Sequence, residues 1–300
     1  MSSETFHVPE GLVRATTDRE GATGNAWLAE LPAIVARLLD AWDCEADGTP
    51  AHGEVALVLP VRRGAEPAAL KVSFPHPGNR SEPHALRTFD GRGAVRLHEA
   101  DDDVCGMLLE RAGPETLASV ASADQAIEIQ GDLARRLAVP APPTAPALAD
   151  TTDGWLDELD RQTAALPGVV PDAALDRARD TIRALASDTT TTMLHGDLHV
   201  GNVLRADREP WLAIHPKGWR GTAAYDAFTV VAVRAGDLLE TADPERAFVD
   251  RVRRFADAAG VDLELALACV QARATSSLLY ERLHRGSWFA MLERLVQLGA

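Results

Sequence analysis

Apolar residues recur at helical spacing through residues 26–41, AWLAELPAIVARLLDA, and predict an amphipathic helix there. GEVALVLPV and PAALKVSF follow as short β-branched or apolar runs bounded by Gly and Pro, the pattern of antiparallel strands. SEPHALRTFDGRG fits a short helix ending at Gly91. AVRLHEA and VCGMLLERA, on either side of the acidic turn DDD, add two more strands. One helix embedded among several strands describes an α+β lobe.

Beyond Gly113 the pattern changes. ETLASVASADQAIEIQGDLARRLA reads as helical, AVPAPPTAPALAD as a Pro- and Ala-rich connector, and helices resume around residues 153–165 and 172–187. NVLRADREPWLAI predicts a strand, a turn and a strand, and amphipathic helices run from Ala223 to the end. The expected domains are therefore residues 1–112, rich in sheet, and residues 113–300, mostly helical. No repeat or low-complexity tail interrupts them.

A chain of 300 residues can bury a core large enough for an enzyme. No apolar run approaches the roughly 20 residues of a bilayer span. The start MSSETFHVPEG lacks the basic and apolar regions of a signal peptide, so the expectation is a cytoplasmic protein with no membrane partner. Cys44, Cys105 and Cys269 are odd in number and far apart, which suggests packed, reduced thiols. A formal charge of −15 argues against nucleic acid as a partner and would suit a cationic small molecule, although most acidic side chains simply keep a surface soluble. Nothing in the pattern selects a monomer over a dimer. Basic residues are nearly all Arg, and the only lysines are Lys71 and Lys217.

The stretch TTMLHGDLHVGNVL, residues 191–204, supports three readings. In an extended segment, His195, Asp197 and His199 would project to one side as ligands of a zinc- or manganese-dependent hydrolase. A polar turn between core helices is the plainest alternative. Phosphoryl transfer requires a carboxylate to orient the acceptor hydroxyl, an asparagine a few residues on to hold a metal, and a strand-borne lysine for nucleotide phosphates. Asp197, Asn202 and Lys71 in AALKV, expected on the third strand, supply these in order. Glu82 on the following helix is the acid expected to hold Lys71.

These segments, together with LVLPVRR, MLLERA, PKG and AYD, resemble the bacterial antibiotic kinases of the aminoglycoside phosphotransferase family, and within it the streptomycin 6-kinase and hydroxyurea phosphotransferase group. The resemblance runs from about Trp27 to the last helices. It implies a protein-kinase-like two-lobe fold and an ATP-dependent transfer to a small-molecule hydroxyl. Asp197 would be the base, Asn202 a ligand of Mg²⁺, Lys71 with Glu82 the phosphate anchor, and the backbone from Glu110 to Ala112 the adenine contact. The turn GTPAHG, residues 48–53, stands where a phosphate-covering loop belongs.

One departure matters chemically. Where the resembled family reads Asp-Pro-Lys and uses the aspartate on the metal, this chain reads IHPKG, with His215 in that place. Mg²⁺ prefers hard oxygen ligands, whereas imidazole adds no negative charge and suits softer metals, Mn²⁺ being the alternative here. His215 thus leaves open an impaired kinase, a nucleotide-binding pseudokinase or a repurposed site. Val200 replaces a usual proline, and GWRGTAAYD lacks the usual Gly-Asp-Pro turn, although Asp226 remains as an acid able to hold the loop. Asp153, Asp157, Glu158 and Glu281 are candidates to line a pocket for a cationic acceptor, with Trp219, Tyr225 and Trp288 as stacking surfaces.

Overall fold

The computed structural model describes residues 7–284, 286 and 289–298. These divide into two compact units, Met1–Gly113 and Pro114–Ala300.

Unit one begins with helix α1 (Glu10–Ala41), interrupted at Gly21, where φ 58 and ψ −130 leave helical space. The earlier arm folds back closely: a Cβ on Gly24 would lie 2.8 Å from the Thr16 carbonyl oxygen. Sequence periodicity found only the second arm, because the first is polar and buries little besides Leu12 and Thr16. Strands β1 (Glu45–Ala46) and β2 (Ala51–His52) both pair with β3 (Ala56–Arg63), which pairs with β4 (Glu66–Ser73). Helices α2 (Pro77–Arg80) and α3 (Glu82–Phe89) follow, then β5 (Leu97–Asp101) and β6 (Gly106–Glu110). The sheet is antiparallel in the order β1-β3-β4-β6-β5. Lys71 therefore lies on the fourth strand in chain order rather than the third, since two-residue strands carry too little pattern to be seen in sequence.

Alternation sorts the sheet's faces. Leu57, Leu59 and Val61 of β3 and Ala68, Leu70 and Val72 of β4 pack with Trp27, Leu31, Val35 and Leu38 of α1 in one apolar cluster. Lys71, between Leu70 and Val72, consequently points to the opposite face, with Val58 and Met107 as its neighbours in register.

Unit two contains α4 (Ala123–Leu137), α5 (Thr152–Ala165), α6 (Asp172–Ala186), the hairpin β7 (Val203–Arg205) and β8 (Trp211–Ala213), then α7 (Ala227–Val231), α8 (Ala235–Leu239), α9 (Pro244–Ala259), α10 (Leu263–His284) and α11 (Phe289–Leu295). Close packing of α4 on α9 depends on Gly131, where a Cβ would stand 2.6 Å from that of Ala258. The connector before α5 is pinned rather than loose: isolated bridges join Pro140 to Thr192 and Ala147 to Arg220. Among the described residues no helix is long and apolar enough to cross a membrane. Cys105 and Cys269 are buried and Cys44 is half-buried, all as free thiols. An antiparallel sheet in the N-terminal unit and a helical C-terminal unit make the α+β class expected from the pattern.

Candidate active site

In unit one the ammonium of Lys71 donates to both carboxylate oxygens of Glu82, at 2.6 and 2.8 Å. Both side chains are buried. Pro83 near the start of α3 suits a first helical turn, and the buried face of Ala85, Leu86 and Phe89 docks the helix, so Glu82 is carried to the strand by packing as well as charge. At the end of β6 the Glu110 side chain accepts a hydrogen bond from the Arg96 amide at 3.0 Å. Ala112 follows in irregular backbone, half-buried. Arg111 ties this segment to the sheet, its Nε donating to the Ala68 carbonyl at 3.0 Å and its Nη2 to Asp47 at 2.8 Å. That hydrogen bond, ahead of the charges of Arg62 and Arg111, holds the Asp47 carboxyl below its usual range. Residues 48–53 include β2 and lie along β3.

In unit two the loop before β7 has its backbone fully engaged at its start. The amides of Leu194, His195, Gly196 and Asp197 donate to the Trp219 carbonyl, to Asp226 twice, and to His195 Nδ1. Gly196 turns the chain with φ +84, and a Cβ there would meet Lys217 Cβ at 2.9 Å and the Trp219 ring at 3.1 Å. Glycine is required on both grounds. Gln130 on α4 reaches the Leu198 carbonyl at 2.6 Å, and the Asn202 amide nitrogen donates to the Asp197 carbonyl at 2.9 Å. Asp197 is thus a half-buried carboxylate on a fixed backbone. Val200 lies in the helical turn Val200–Asn202, which the His199 side chain caps by accepting from Gly201. Thr222 caps the turn Ala223–Asp226 in the segment that lacks Gly-Asp-Pro.

The arrangement does not gather His195, Asp197 and His199 on one side. His195 is buried and donates from Nε2 to the Ile214 carbonyl at 3.0 Å, while Nδ1 accepts from Asp197, so neither nitrogen is left for a metal. Burial pushes this imidazole down to about 4, and it stays neutral. His199 is exposed. Among the described residues no group of three or more His, Cys, Asp or Glu is placed to hold a metal ion. A turn with left-handed Gly196 replaces the extended segment on which the hydrolase reading rested.

Asp226 is fully buried and accepts from the His195 and Gly196 amides. Burial nevertheless pushes its carboxyl up to about 7, against the opposing effects of Arg273 and of those two hydrogen bonds. Arg273 on α10 lies over the rings of Tyr225 and Phe228, at 4.2 and 4.7 Å, and donates to the Tyr225 carbonyl. Tyr225 meets Trp155 and Trp219 edge to face. This cluster gives Trp219 and Tyr225 protein partners of their own, whereas Trp288 lies outside the described residues. Glu158 is likewise engaged, by Gln162 and Arg161, while Asp153 and Asp157 are exposed.

Motif reasoning named PKG but assigned Lys217 no role. Its ammonium lies 3.6 Å from Asp197 Oδ2 and 3.2 Å from His215 Nε2. An ammonium can only donate, so it uses the Nε2 lone pair of His215. His215 itself sits at φ 59, left-handed space that histidine enters more readily than most side chains. The residues expected to bind Mg²⁺ thus offer one amide oxygen, from Asn202, and an imidazole already facing a cation. They fit a hard six-coordinate ion poorly. The scarcity of lysine was the sequence signal for Lys217. Arg273 had none, because a lone arginine in a long helix carries no motif.

The family model of the aminoglycoside/hydroxyurea antibiotic resistance kinases matches residues 41–283. The chain belongs to this family. It is 36% identical over 283 residues to a streptomycin 6-kinase of Streptomyces glaucescens, covering 93% of this chain and 92% of that one. A hydroxyurea phosphotransferase of Kitasatospora aureofaciens is 36% identical over 239 residues, covering 77% and 70%. Among solved structures, a thermostable mutant of aminoglycoside phosphotransferase APH(4)-Ia, in ternary complex with ADP and hygromycin B, superposes with a TM-score of 0.55. That match has 16% identity and covers 88% of this chain and 98% of the other, a likeness of fold. The family match spans both the lysine strand and the HGDLHVGN loop.

Proposed function

We propose that this member of the resistance-kinase family transfers the γ-phosphoryl group of ATP to a hydroxyl of a small molecule, an aminoglycoside-like antibiotic being the preferred acceptor. The observation that carries the reading is Asp197: a half-buried carboxylate on a loop whose amides from Leu194 to Asp197 are all engaged, the requirement for a positioned base. In this scheme the acceptor oxygen attacks the γ-phosphorus as Asp197 takes up its proton. The bond from γ-phosphorus to the β–γ bridging oxygen breaks, and ADP leaves. Lys71, held by Glu82, neutralises phosphate charge, and the backbone from Glu110 to Ala112 meets adenine. Residues 1–112 are then the nucleotide-binding lobe, and residues 113–300 carry the catalytic loop and acceptor site. ATP enters as a substrate with its own Mg²⁺ or Mn²⁺.

A panel of streptomycin, hygromycin B and hydroxyurea tests the reading through acceptor-dependent ADP release. One acceptor should stimulate release, and Asp197→Ala should lower it at least about a thousandfold, the scale of losing a positioned base. Thermal stabilisation by ATP without turnover on any acceptor would instead identify a nucleotide-binding pseudokinase. Tightly held zinc or manganese with indifference to Lys71→Ala would identify a hydrolase.

A further inference from the structure

We infer that Lys217 supplies, from the protein itself, the positive charge that a divalent cation would bring to nucleotide phosphates beside Asp197, Asn202 and His215. The inference rests on the kinase reading and adds a phosphate-binding residue to it. Four observations carry it.

Lysine occurs only twice in the chain, and the second lysine lies at this loop. Its position is built: the Lys217 amide donates to the His195 carbonyl at 2.8 Å, and its Cβ packs where Gly196 has none. The ammonium bridges Asp197 Oδ2 and His215 Nε2, at 3.6 and 3.2 Å, so the position that would need a second carboxylate for a metal is taken by an imidazole nitrogen turned toward a cation. Lys217 also keeps 26% of its side chain exposed, beside Asp197 at 28%, and remains within reach of a ligand's oxygens. A compact ammonium has three donors and can add a phosphate oxygen to these two partners. A metal ion placed there would face it charge to charge.

The consequence is nucleotide binding that survives metal removal. A non-hydrolysable ATP analogue, AMP-PNP, is titrated in EDTA and in excess Mg²⁺ with thermal stability as the readout. The proteins compared are the wild type, Lys217→Ala, Lys217→Arg, His215→Asp and the double variant Lys217→Ala/His215→Asp, each first shown to be folded by circular dichroism. The wild type and Lys217→Arg should bind in EDTA within about threefold of their affinity in Mg²⁺. Lys217→Ala should lose at least about tenfold in EDTA, the scale of one charged hydrogen bond. The double variant, with its carboxylate restored and ammonium removed, should bind only with Mg²⁺.

A wild type stabilised only when Mg²⁺ is present, or a Lys217→Ala protein that binds in EDTA like the wild type, overturns the assignment and leaves the kinase reading standing. Absence of stabilisation in Mg²⁺ as well, across all five proteins, removes the nucleotide reading and the assignment with it.

Discussion

Asp226 accepts hydrogen bonds from the backbone amides of both His195 and Gly196, at 3.2 and 2.8 Å. A single buried carboxylate therefore sets the direction in which the next residue, Asp197, leaves the loop.

The pH dependence of stability should carry its signature. With its carboxyl raised to about 7, the folded protein binds the Asp226 proton more tightly than the unfolded chain does. The stability it contributes is fully present below the unfolded value near 3.9 and is lost as pH rises through about 7, with a limiting slope of about 1.4 kcal/mol per unit. His195 acts oppositely: its folded value of about 4 makes its contribution present above about 6.5 and lost as pH falls toward 4. The two slopes offset in the wild type. Urea unfolding from pH 4 to 8 should show the difference in stability, wild type minus Asp226→Asn, shrinking as pH rises. A difference that is flat in pH would contradict the buried-acid account.

Breaking the Lys71–Glu82 pair from one side strands a buried charge. Lys71→Met should lower unfolding free energy by about 3–5 kcal/mol, whereas Lys71→Met/Glu82→Leu should recover most of it. Neither protein should recover phosphoryl transfer, since the amine is absent from both. Chemical denaturation of the two variants checks this, and a double variant no more stable than the single one would argue against the pair.

Gly196→Ala combines a left-handed φ of +84 with contacts of 2.9 and 3.1 Å to Lys217 and Trp219. A cost of about 1–2 kcal/mol from the backbone alone is expected, with more from displaced side chains. Because the displaced side chain of Lys217 neighbours Asp197, turnover should fall by more than stability alone explains. Steady-state kinetics well below the melting transition separates the two effects. Unchanged kcat would show that the close approach is not used.

Arg273→Lys retains the charge and loses the planar group stacked over Tyr225 and Phe228. A loss of about 1–2 kcal/mol is expected from the stacking and the hydrogen bond to the Tyr225 carbonyl. Thermal unfolding measures it, and a variant as stable as the wild type would remove this cluster from the account of how the Asp226 turn is held.

Strong periodicity made β3, β4 and the second arm of α1 readable, because each buries one face against an apolar layer and repeats that fact every two or every three to four residues. HGDLHVGN stood out for another reason: its polar residues fall at a spacing that phosphoryl transfer would use. Two-residue β1 and β2 were invisible, since so short a segment has no period, and the first arm of α1 was too polar to declare itself. Trp219 and Tyr225 could be suspected as ligand surfaces from composition, but Trp155 and Arg273, distant in sequence, engage Tyr225, and Tyr225 in turn engages Trp219.

Residue order alone indicated an α+β chain, a lysine on a strand followed by an acid on a helix, and a polar loop whose spacing phosphoryl transfer could use. Folding decided which groups meet. It engages both nitrogens of His195 with backbone groups, seats Asp226 beneath the loop and brings Lys217 between Asp197 and His215. Local pattern records how each segment divides itself between core and solvent, whereas the partner of a hydrogen bond or a charge depends on packing between segments far apart in the chain.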